Sequence, residues 1–189
     1  MEKLYFDDER HEYLLIGDHT LRSLISVTTL LSKHGLAPNY GTIPPNILRR
    51  KADYGTYVHK ELEEWVKEGK IGFSRELHQF MNLCKTVGLQ PKKSEFLVHN
   101  DIVAGTVDLL ADFHGMTVLI DYKTTAKLHK DTVSWQLSLY ASMCEEHIDE
   151  IWAIHFDGKN ATIVPLERKP KYLIDKLLES ERNGKKYEN

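Results

Sequence analysis

The sequence predicts an α/β or α+β domain in which a central mixed β-sheet is flanked by helices. Apolar residues recur at helical spacing before residue 90 and again after residue 130, and between these regions the period falls to two. The central region, about residues 95–122, is also rich in the β-branched and aromatic residues that strands favour. With 189 residues, 41% of them apolar, the chain is long enough to bury a core of its own.

The N-terminal half is predicted to form a hairpin followed by helices. The expected elements are a hairpin over residues 4–24, a short helix over 26–31, a loop over 35–45 and helices over 54–68 and 74–87. Ser26 and Ser74 are typical helix N-caps, and Gly69 and Gly88 are typical of helix ends. Gly17-Asp18 is a turn signal within the hairpin.

The C-terminal half is predicted to supply the sheet and two further helices. The expected elements are strands over 96–98, 102–113, 116–122, 151–156 and 161–166, and helices over 131–144 and 172–178. Asp131 or Thr132 is the expected N-cap of the first of these helices. Asp157-Gly158 marks the turn between the last two strands.

The chain contains no internal repeat, low-complexity segment or Gly/Ser linker, so a single domain over residues 1–189 is expected. Within it, residues 1–90 form the hairpin and helical part and residues 91–182 the sheet core. Residues 183–189 are expected to be a polar tail.

The composition excludes several classes of protein. No apolar run approaches the roughly 18–20 residues that span a bilayer, and the start of the chain lacks the order of a signal peptide, so a cytoplasmic protein without a membrane partner is expected. The net charge of −3 means that any contact with nucleic acid must be local. Cys84 and Cys144 are too few for a disulfide framework or an iron–sulfur cluster held by four thiolates.

The informative segment runs from Gly105 to Lys123. If His114-Gly115 forms a two-residue hairpin turn, the register places Asp108 directly across from Asp121. Opposed side chains have Cβ atoms about 4.5–5.5 Å apart, and period two puts Lys123 on the same face. A slip of one residue would drive an aspartate into the apolar row opposite, so the alternation fixes the register. That row is Val107, Leu109, Ala111, Phe113, Met116, Val118, Ile120 and Tyr122.

Two directly opposed carboxylates destabilise a strand pair unless a cation neutralises them. A hard divalent cation with oxygen ligands does so, and Lys123 beside it would orient a water or stabilise charge on an attacked phosphate. The same pattern also fits a solvated, charged face of a hairpin. Leu110 and Leu119 share this face and indicate that it is partly covered, which favours the metal site.

Four segments follow one another at tight spacing: Gly55–Glu63, with a histidine expected on a helix, Gly105–Asp108, Ile120–Thr125 and Trp135–Tyr140. Together they resemble the RecB-like branch of the PD-(D/E)XK nuclease superfamily. Ser26–Thr28 and Glu95 are also similar to the mitochondrial genome maintenance exonucleases and the small exonucleases of phages. Val107 replaces the proline of the superfamily's name, and Asp121 stands where many members carry Glu; both changes leave the carboxylate chemistry intact.

The resemblance implies a restriction-endonuclease-like PD-(D/E)XK core that uses Mg²⁺ or Mn²⁺ and, with two cysteines, no iron–sulfur cluster. It implies that Lys123 is the catalytic lysine. The implied metal ligands are His59, Asp108, Asp121 and the backbone carbonyl of Tyr122, with Glu95 acting through a water.

The resemblance also implies contacts with DNA. Gln136 and Tyr140 are spaced i, i+4 on one helix and are expected near the phosphate backbone. Thr124 and Lys127 are further expected DNA contacts, and the basic stretch Arg49–Lys51 could follow the backbone as well.

The expected function is that of a metal-dependent DNA exonuclease acting from single-stranded ends in recombination, repair or replication. Such an enzyme would be bacterial or phage-encoded and would work in the host cytoplasm. Its expected partners are DNA and a single-strand-binding or annealing protein. Two alternatives stay open: a structure- or sequence-specific endonuclease on the same core, and a catalytically silent nucleic-acid-binding module.

Overall fold

A computed structural model describes residues 2–7, Arg10 and residues 12–188 of the chain. The strands are β1 (Lys3–Asp7), β2 (Glu12–Ile16), β3 (Leu21–Ser26), β4 (Leu89–His99), β5 (Val103–Phe113), β6 (Met116–Lys123), β7 (Glu150–Phe156) and β8 (Ala161–Leu166). The helices are α1 (Val27–Lys33), α2 (Pro45–Glu68), α3 (Arg75–Val87), α4 (Lys130–Met143) and α5 (Lys171–Arg182).

The described strands join into one mixed sheet in the order β1-β2-β3-β5-β6-β7-β8, with β4 also paired to β5. The β3/β5 and β6/β7 pairs are parallel, and the other pairs are antiparallel. Because two adjacent parallel strands need a crossover, α4 connects β6 to β7 across one face of the sheet. The predicted mixed sheet flanked by helices is confirmed.

Strand β5 has different neighbours along its length. Ala104 pairs with His99 of β4 and with Ser26 of β3, so these two strands lie on opposite sides of β5. Strand β6 pairs with Leu109–Phe113 on the side opposite β4, which is the side of β3. Within the described part of the chain, residues 105–108 thus face no strand there. We call this opening, between the diverging strands β3 and β6, the fork.

Each face of the sheet carries a hydrophobic cluster. On one face, α1, α4 and α5 contribute buried leucines: Leu30, Leu137 and Leu177. On the other, α2 and α3 contribute Leu62 and Phe80. We call these the α4 face and the α2 face. The face that was expected to be partly covered is therefore a core face as well, with Leu110 and Leu119 buried in its cluster.

The apolar row predicted from alternation is interrupted at Asp108. Leu109 and Ile120 pack on the α2 face as expected, but Val107 is buried in the α4-face cluster, so its predicted position was wrong. On the neighbouring strand, Glu95 has φ +47°, a left-handed conformation that strands do not otherwise use. A prediction from regular alternation cannot anticipate that the side chains of β5 change face beside a residue with this backbone conformation.

The predicted hairpin turn at His114-Gly115 is confirmed. Both residues have positive φ, +53° and +87°, as a turn matched to the strand twist requires. Phe113 pairs with Met116 and Leu109 with Ile120, which is the predicted register.

Several element boundaries differ from the prediction. Helix α2 starts at Pro45 and not near residue 54, because residues 45–54 bury little and so carry no apolar period. Strand β4 starts at Leu89 despite Pro91, which an edge strand with a bulge tolerates. Helix α4 is capped at His129, two residues before the earlier of the two expected caps.

The chain ends also differ from expectation. The N-terminal region is a three-strand antiparallel unit and not a single hairpin; residues 8, 9 and 11 of its first turn lie outside the described residues. The segment 183–189, expected to be a polar tail, contains Tyr187, which is 6% exposed and packs edge-on against Trp135. Asn189 lies outside the described residues. None of the described helices is long and apolar enough to cross a membrane.

Glu61 joins α2 to the start of α3. Its buried carboxylate accepts hydrogen bonds from the Tyr57 hydroxyl (2.6 Å) and from the backbone N–H groups of Phe73 (2.9 Å) and Ser74 (2.7 Å). A Cβ atom at Gly72 would lie 2.3 Å from the carboxylate carbon, so only glycine permits this approach. Burial opposes ionisation, but the hydrogen bonds outweigh it and lower the pKa of Glu61 from 4.5 to about 2.

We expect Glu61→Gln to lower the free energy of unfolding by about 1–3 kcal/mol at pH 7, because an amide cannot accept both backbone N–H groups. The folded pKa lies below that of the free side chain. The contribution of the ionised carboxylate is therefore complete above about pH 4.5 and is lost as the pH falls toward 2.

Urea unfolding of wild type and variant at pH 7, 4 and 3 measures this difference, which should shrink with falling pH. Glu68→Gln, at an exposed position of the same helix, is the matched control and should change stability by less than about 0.5 kcal/mol. A difference that stays constant with pH would contradict the assignment.

Candidate active site

Three carboxylates stand side by side on three adjacent strands. The pairs Ser94↔Leu109 and Phe96↔Val107 on either side place Glu95 of β4 across from Asp108 of β5. The β5/β6 register, continued one step beyond Leu109↔Ile120, places Asp121 across from Asp108 on the other side. The predicted opposition of Asp108 and Asp121 is thus part of a row of three acidic positions that lies at the mouth of the fork.

Asp108 is held at the fork by hydrogen bonds to both neighbouring strands. The backbone N–H of Tyr122 donates to its Oδ2 atom (2.7 Å), and the Ser94 hydroxyl donates to its backbone carbonyl (3.0 Å). The residue is 8% exposed. Burial and the neighbouring Glu95 raise the pKa of Asp108, although His59 and Lys123 oppose this effect.

His59 reaches the same point from helix α2. Its Nδ1 atom lies 3.5 Å from Glu95 Oε1 and 3.6 Å from Asp108 Oδ1, and its ring packs edge-on against the ring of Tyr122. Burial disfavours the charged imidazolium. The surrounding carboxylates, led by Asp108, outweigh burial and raise the pKa of His59 to about 9.

Asp121 is bound by partners from β6 and α4. The Lys123 ammonium donates to Oδ1 (2.8 Å) and lies 2.6 Å from Oδ2, and the Gln136 amide donates to Oδ1 (2.8 Å). The carboxylate is almost fully buried. This burial raises the pKa of Asp121 to about 6, against the lowering effect of Lys123.

The donor set fits a divalent cation. His59, Glu95 and Asp108 each offer one ligand atom, and these atoms lie within 4.8 Å of one another. Glu95 Oε1 is a buried oxygen that accepts no hydrogen bond from the described residues, which is costly without a cation or water. Carboxylates combined with one imidazole suit Mn²⁺ and, through their oxygens, Mg²⁺.

The structure brings some of the expected ligands together and not others. His59 and Asp108 lie in the donor group as predicted, and Glu95, expected to act only through a water, belongs to it directly. Asp121 lies outside this group, with Lys123 and Gln136 on its oxygens. Tyr122 offers Asp108 its backbone N–H, and the role of its carbonyl stays a prediction.

The residues expected to contact DNA fall into two groups. Gln136 and Tyr140 are buried and face the site: the Gln136 amide is 3.4 Å from the Tyr140 hydroxyl as well as 2.8 Å from Asp121. Thr124 and Lys127 lie in the segment between β6 and α4, where Lys127 is exposed. Thr124 and Lys127 are thus the more exposed of the two groups.

Gly105 and Tyr140 form a contact that the motif did not explain. A Cβ atom at Gly105 would lie 2.3 Å from a ring carbon of Tyr140, so the ring lies directly on the backbone of β5 inside the fork. Gly105 has no positive φ, and its lack of a side chain therefore serves only this close approach. In the sequence, Gly105 before Asp108 was the one signal for this contact. The sequence does not identify the side chain that packs on the glycine, so the signal could not be interpreted.

The model of one protein family, described as the PD-(D/E)XK nuclease superfamily, matches residues 75–180. The match covers more than half of the chain and includes every site residue described above except His59 on α2. A search of curated proteins finds no match.

The solved structures that are similar to this chain include the following two. SSO0001 aligns with 15% identity and a TM-score of 0.53 over 88% of this chain and 78% of its own, which shows a shared fold. A phage-related exonuclease from Haemophilus somnus 129PT aligns with 15% identity and a TM-score of 0.45, over 85% of this chain and 90% of its own.

We expect Gly105→Ala to destabilise the protein by about 1–3 kcal/mol, because the new methyl group collides with the buried Tyr140 ring. Tyr140→Leu removes that ring. In the Tyr140→Leu background the glycine substitution should therefore cost at least about 0.5 kcal/mol less than in wild type. Urea unfolding of the four proteins gives the coupling energy, and strictly additive effects would contradict the contact.

Proposed function

Since the chain belongs to the PD-(D/E)XK nuclease superfamily, we propose that it is a divalent-metal-dependent deoxyribonuclease that hydrolyses phosphodiester bonds. One observation carries the proposal: His59, Glu95 and Asp108 converge in a donor group beside the ion pair of Lys123 and Asp121. Family membership implies a DNA substrate, and the donor group and the lysine are the chemistry that phosphodiester hydrolysis needs.

The cation would be held by His59, Glu95 and Asp108, with Asp121 next to it. When bound, Mg²⁺ or Mn²⁺ supplies activation of water and neutralisation of charge on the attacked phosphate. The protein contributes rigidity: Asp108 is fixed by the Tyr122 N–H, and His59 is fixed by its edge-on packing against the Tyr122 ring. Tyr122 thus holds two of the proposed ligands from a single position.

Lys123 is the proposed catalytic lysine. Its side chain is 27% exposed, whereas its partner Asp121 is almost fully buried, so the lysine is the member of the pair that reaches a substrate. Burial lowers the pKa of Lys123, but Asp121 and Asp108 outweigh burial and raise it, which keeps the side chain charged. A charged donor at this position would stabilise the negative charge that develops on the phosphate.

Gln136 and Tyr140 act, in this proposal, as positioning residues for Asp121 and not as contacts to the phosphate backbone. Their side chains are buried, and the amide of Gln136 is already committed to the Asp121 carboxylate. The Gln136 amide fixes Oδ1 of Asp121 from α4, and the other oxygen, Oδ2, lies 2.6 Å from the Lys123 ammonium.

A cleft between α2 and the end of β6 is the proposed path of the phosphate backbone. It has a volume of about 480 Å³ and is lined by Arg50, Lys51 and Tyr54 from α2 and by Thr124 and Thr125. Two cations and an exposed aromatic ring are the groups that bind a single strand. Lys127 lies two residues beyond Thr125 and extends the basic edge.

We further propose that the enzyme is an exonuclease acting on single-stranded ends. Helix α2 crosses close to the end of β6, since a Cβ atom at Gly55 would lie 3.5 Å from the Thr124 hydroxyl. The narrow space beside this crossing favours one strand over a duplex. Recombination, repair or replication are the processes that use such an activity, with a single-strand-binding or annealing protein as a proposed partner.

The first test of this proposal is metal dependence. We expect labelled single-stranded DNA to be degraded in Mg²⁺ or Mn²⁺ and to stay intact in EDTA. Ca²⁺ should support DNA binding without turnover, since its looser shell activates water less well. Undiminished hydrolysis in EDTA would contradict the assignment of the donor group.

We expect Lys123→Gln to reduce the hydrolysis rate by about 10² to 10³ or more, because the charge next to the phosphate is lost. Glutamine can still donate a hydrogen bond to Asp121, so the fold and Ca²⁺-supported DNA binding should change little. Lys92→Gln, at an exposed position on β4, is the matched control. Cleavage by Lys123→Gln within a few-fold of wild type would overturn the catalytic role.

An end requirement distinguishes exonuclease from endonuclease. We expect linear single-stranded DNA to be degraded in Mg²⁺ while a covalently closed circle of the same sequence survives, because the strand must be threaded beside α2. Gel analysis over time, with both substrates in one tube, measures the two rates. Rapid nicking of the circle would show that the enzyme is an endonuclease.

A further inference from the structure

A second cavity lies beside Lys123, on the side of α1 and α4. It has a volume of about 270 Å³ and lies between α1, the segment that leads to α2, and α4. Much of its wall is apolar, from Leu31, Ala37, Pro38 and Val133, and Tyr40 contributes an aromatic ring. Lys123 and Gln136 also line it, so the cavity adjoins the two residues that bind Asp121.

We propose that this cavity, which we call the base pocket, receives one unstacked nucleobase from the nucleotide next to the cleaved phosphate. The inference rests on the proposed nuclease function and adds to it a residue-level account of how the strand end is held. Tyr40 is its central residue, because it is the largest aromatic residue of the pocket and is 41% exposed.

The size and lining of the pocket favour a base over other parts of DNA. A phosphate would need several cations or free N–H groups, whereas most of the exposed surface of this pocket is apolar and its lysine, Lys123, is paired with Asp121. The volume admits one purine or pyrimidine ring system but not a base pair, so a base enters only after it leaves its stack. An aromatic ring then offers it a stacking surface.

The polar groups of the pocket are largely engaged within the protein. The Thr132 hydroxyl donates to the backbone carbonyl of Leu36 (3.0 Å), and the Thr28 hydroxyl is 3.1 Å from that of Ser26. The Gln136 amide is bound to Asp121. Few groups are left to read the edge of a base, so the pocket should accept any base by stacking and give little sequence preference.

The aromatic geometry at the pocket supports this assignment. The Tyr40 ring stands edge-on to the ring of His129, with centroids 6.3 Å apart and planes at 84°. The edge of one ring therefore points at the other, and the two rings are not stacked on each other's faces. His129 also lines the pocket and occupies the N-cap position of α4, so the pocket lies beside the start of that helix.

The Thr125 residue lines both the base pocket and the cleft that we assign to the phosphate backbone. The two spaces are therefore neighbours across the segment that follows Lys123. A strand with its backbone along Arg50 and Lys51 would turn one base toward Tyr40 at this segment. Only an unpaired strand can turn a base in this way, so the pocket favours single-stranded ends.

The test combines base removal in the DNA with ring removal in the protein. Binding of a fluorescein-labelled 12-nucleotide thymidine strand is measured by anisotropy in Ca²⁺. Single abasic sites are placed in turn at each of the four positions nearest either end. For wild type, one position should weaken binding by about 5- to 150-fold, the equivalent of one base stacked on an aromatic ring, and the other positions should matter less.

Tyr40→Ala should weaken binding of the intact strand by a similar factor, and the critical abasic site should then cost it no more than about two-fold. Tyr40→Phe keeps the ring and should behave like wild type. Tyr172→Ala removes an exposed aromatic from α5, outside both spaces, and should leave binding and the abasic effect unchanged. Thermal unfolding confirms that each variant is folded.

The base pocket would be overturned if the abasic site and Tyr40→Ala weakened binding independently of each other. It would also be overturned if every abasic position weakened binding equally. Hydrolysis of linear DNA in Mg²⁺, measured in parallel, separates this outcome from failure of the proposed function. Hydrolysis without coupling between Tyr40 and the base leaves the nuclease and removes the pocket. Coupling without hydrolysis leaves the pocket as a binding site and removes the nuclease.

Discussion

The hydrogen bond from the backbone N–H of Tyr122 to the carboxylate of Asp108 is the interaction on which the site depends. Beyond Leu109↔Ile120 the strands β5 and β6 part, and this bond takes the place of the next ladder contact. It therefore holds β6 beside β5 beyond the end of the ladder and places a carboxylate at the mouth of the fork. Inside the fork the Tyr140 ring packs directly on Gly105. This contact brings α4 close enough to β6 for Gln136 to reach Asp121.

Charge is the second constraint on the fork. Glu95, Asp108 and Asp121 lie together, and the cations that face them are Lys123 and, when protonated, His59. Three carboxylates, two of them buried, against two cations are unfavourable in a low-dielectric interior, and the raised pKa of Asp121 reflects this. A fold that keeps such a cluster has a use for it, because stability alone would favour apolar residues here. A divalent cation removes the imbalance and gives the cluster its proposed chemistry.

The parts of this arrangement that follow from local rules could be predicted from the sequence. Turn chemistry at His114-Gly115 and strict alternation gave the β5/β6 register, and with it the opposition of Asp108 and Asp121. The direct place of Glu95 in the donor group could not be predicted, because it depends on β4 lying on the far side of β5 and on a left-handed backbone at Glu95 itself. The first turns of α2 were missed for a different reason. They are largely exposed, so they lack an apolar period, yet they carry Arg50 and Lys51 beside the proposed DNA path.

The central claim is that the cluster around Asp108 is a divalent-metal site, and titration of Mn²⁺ into the protein tests it most directly. Isothermal titration calorimetry without DNA should give saturable binding that is lost in Asp108→Asn and strongly weakened in Glu95→Gln. Asp101→Asn, an exposed change in the turn between β4 and β5, should bind Mn²⁺ like wild type. Binding of Mn²⁺ that is the same in Asp108→Asn and in wild type would contradict the account.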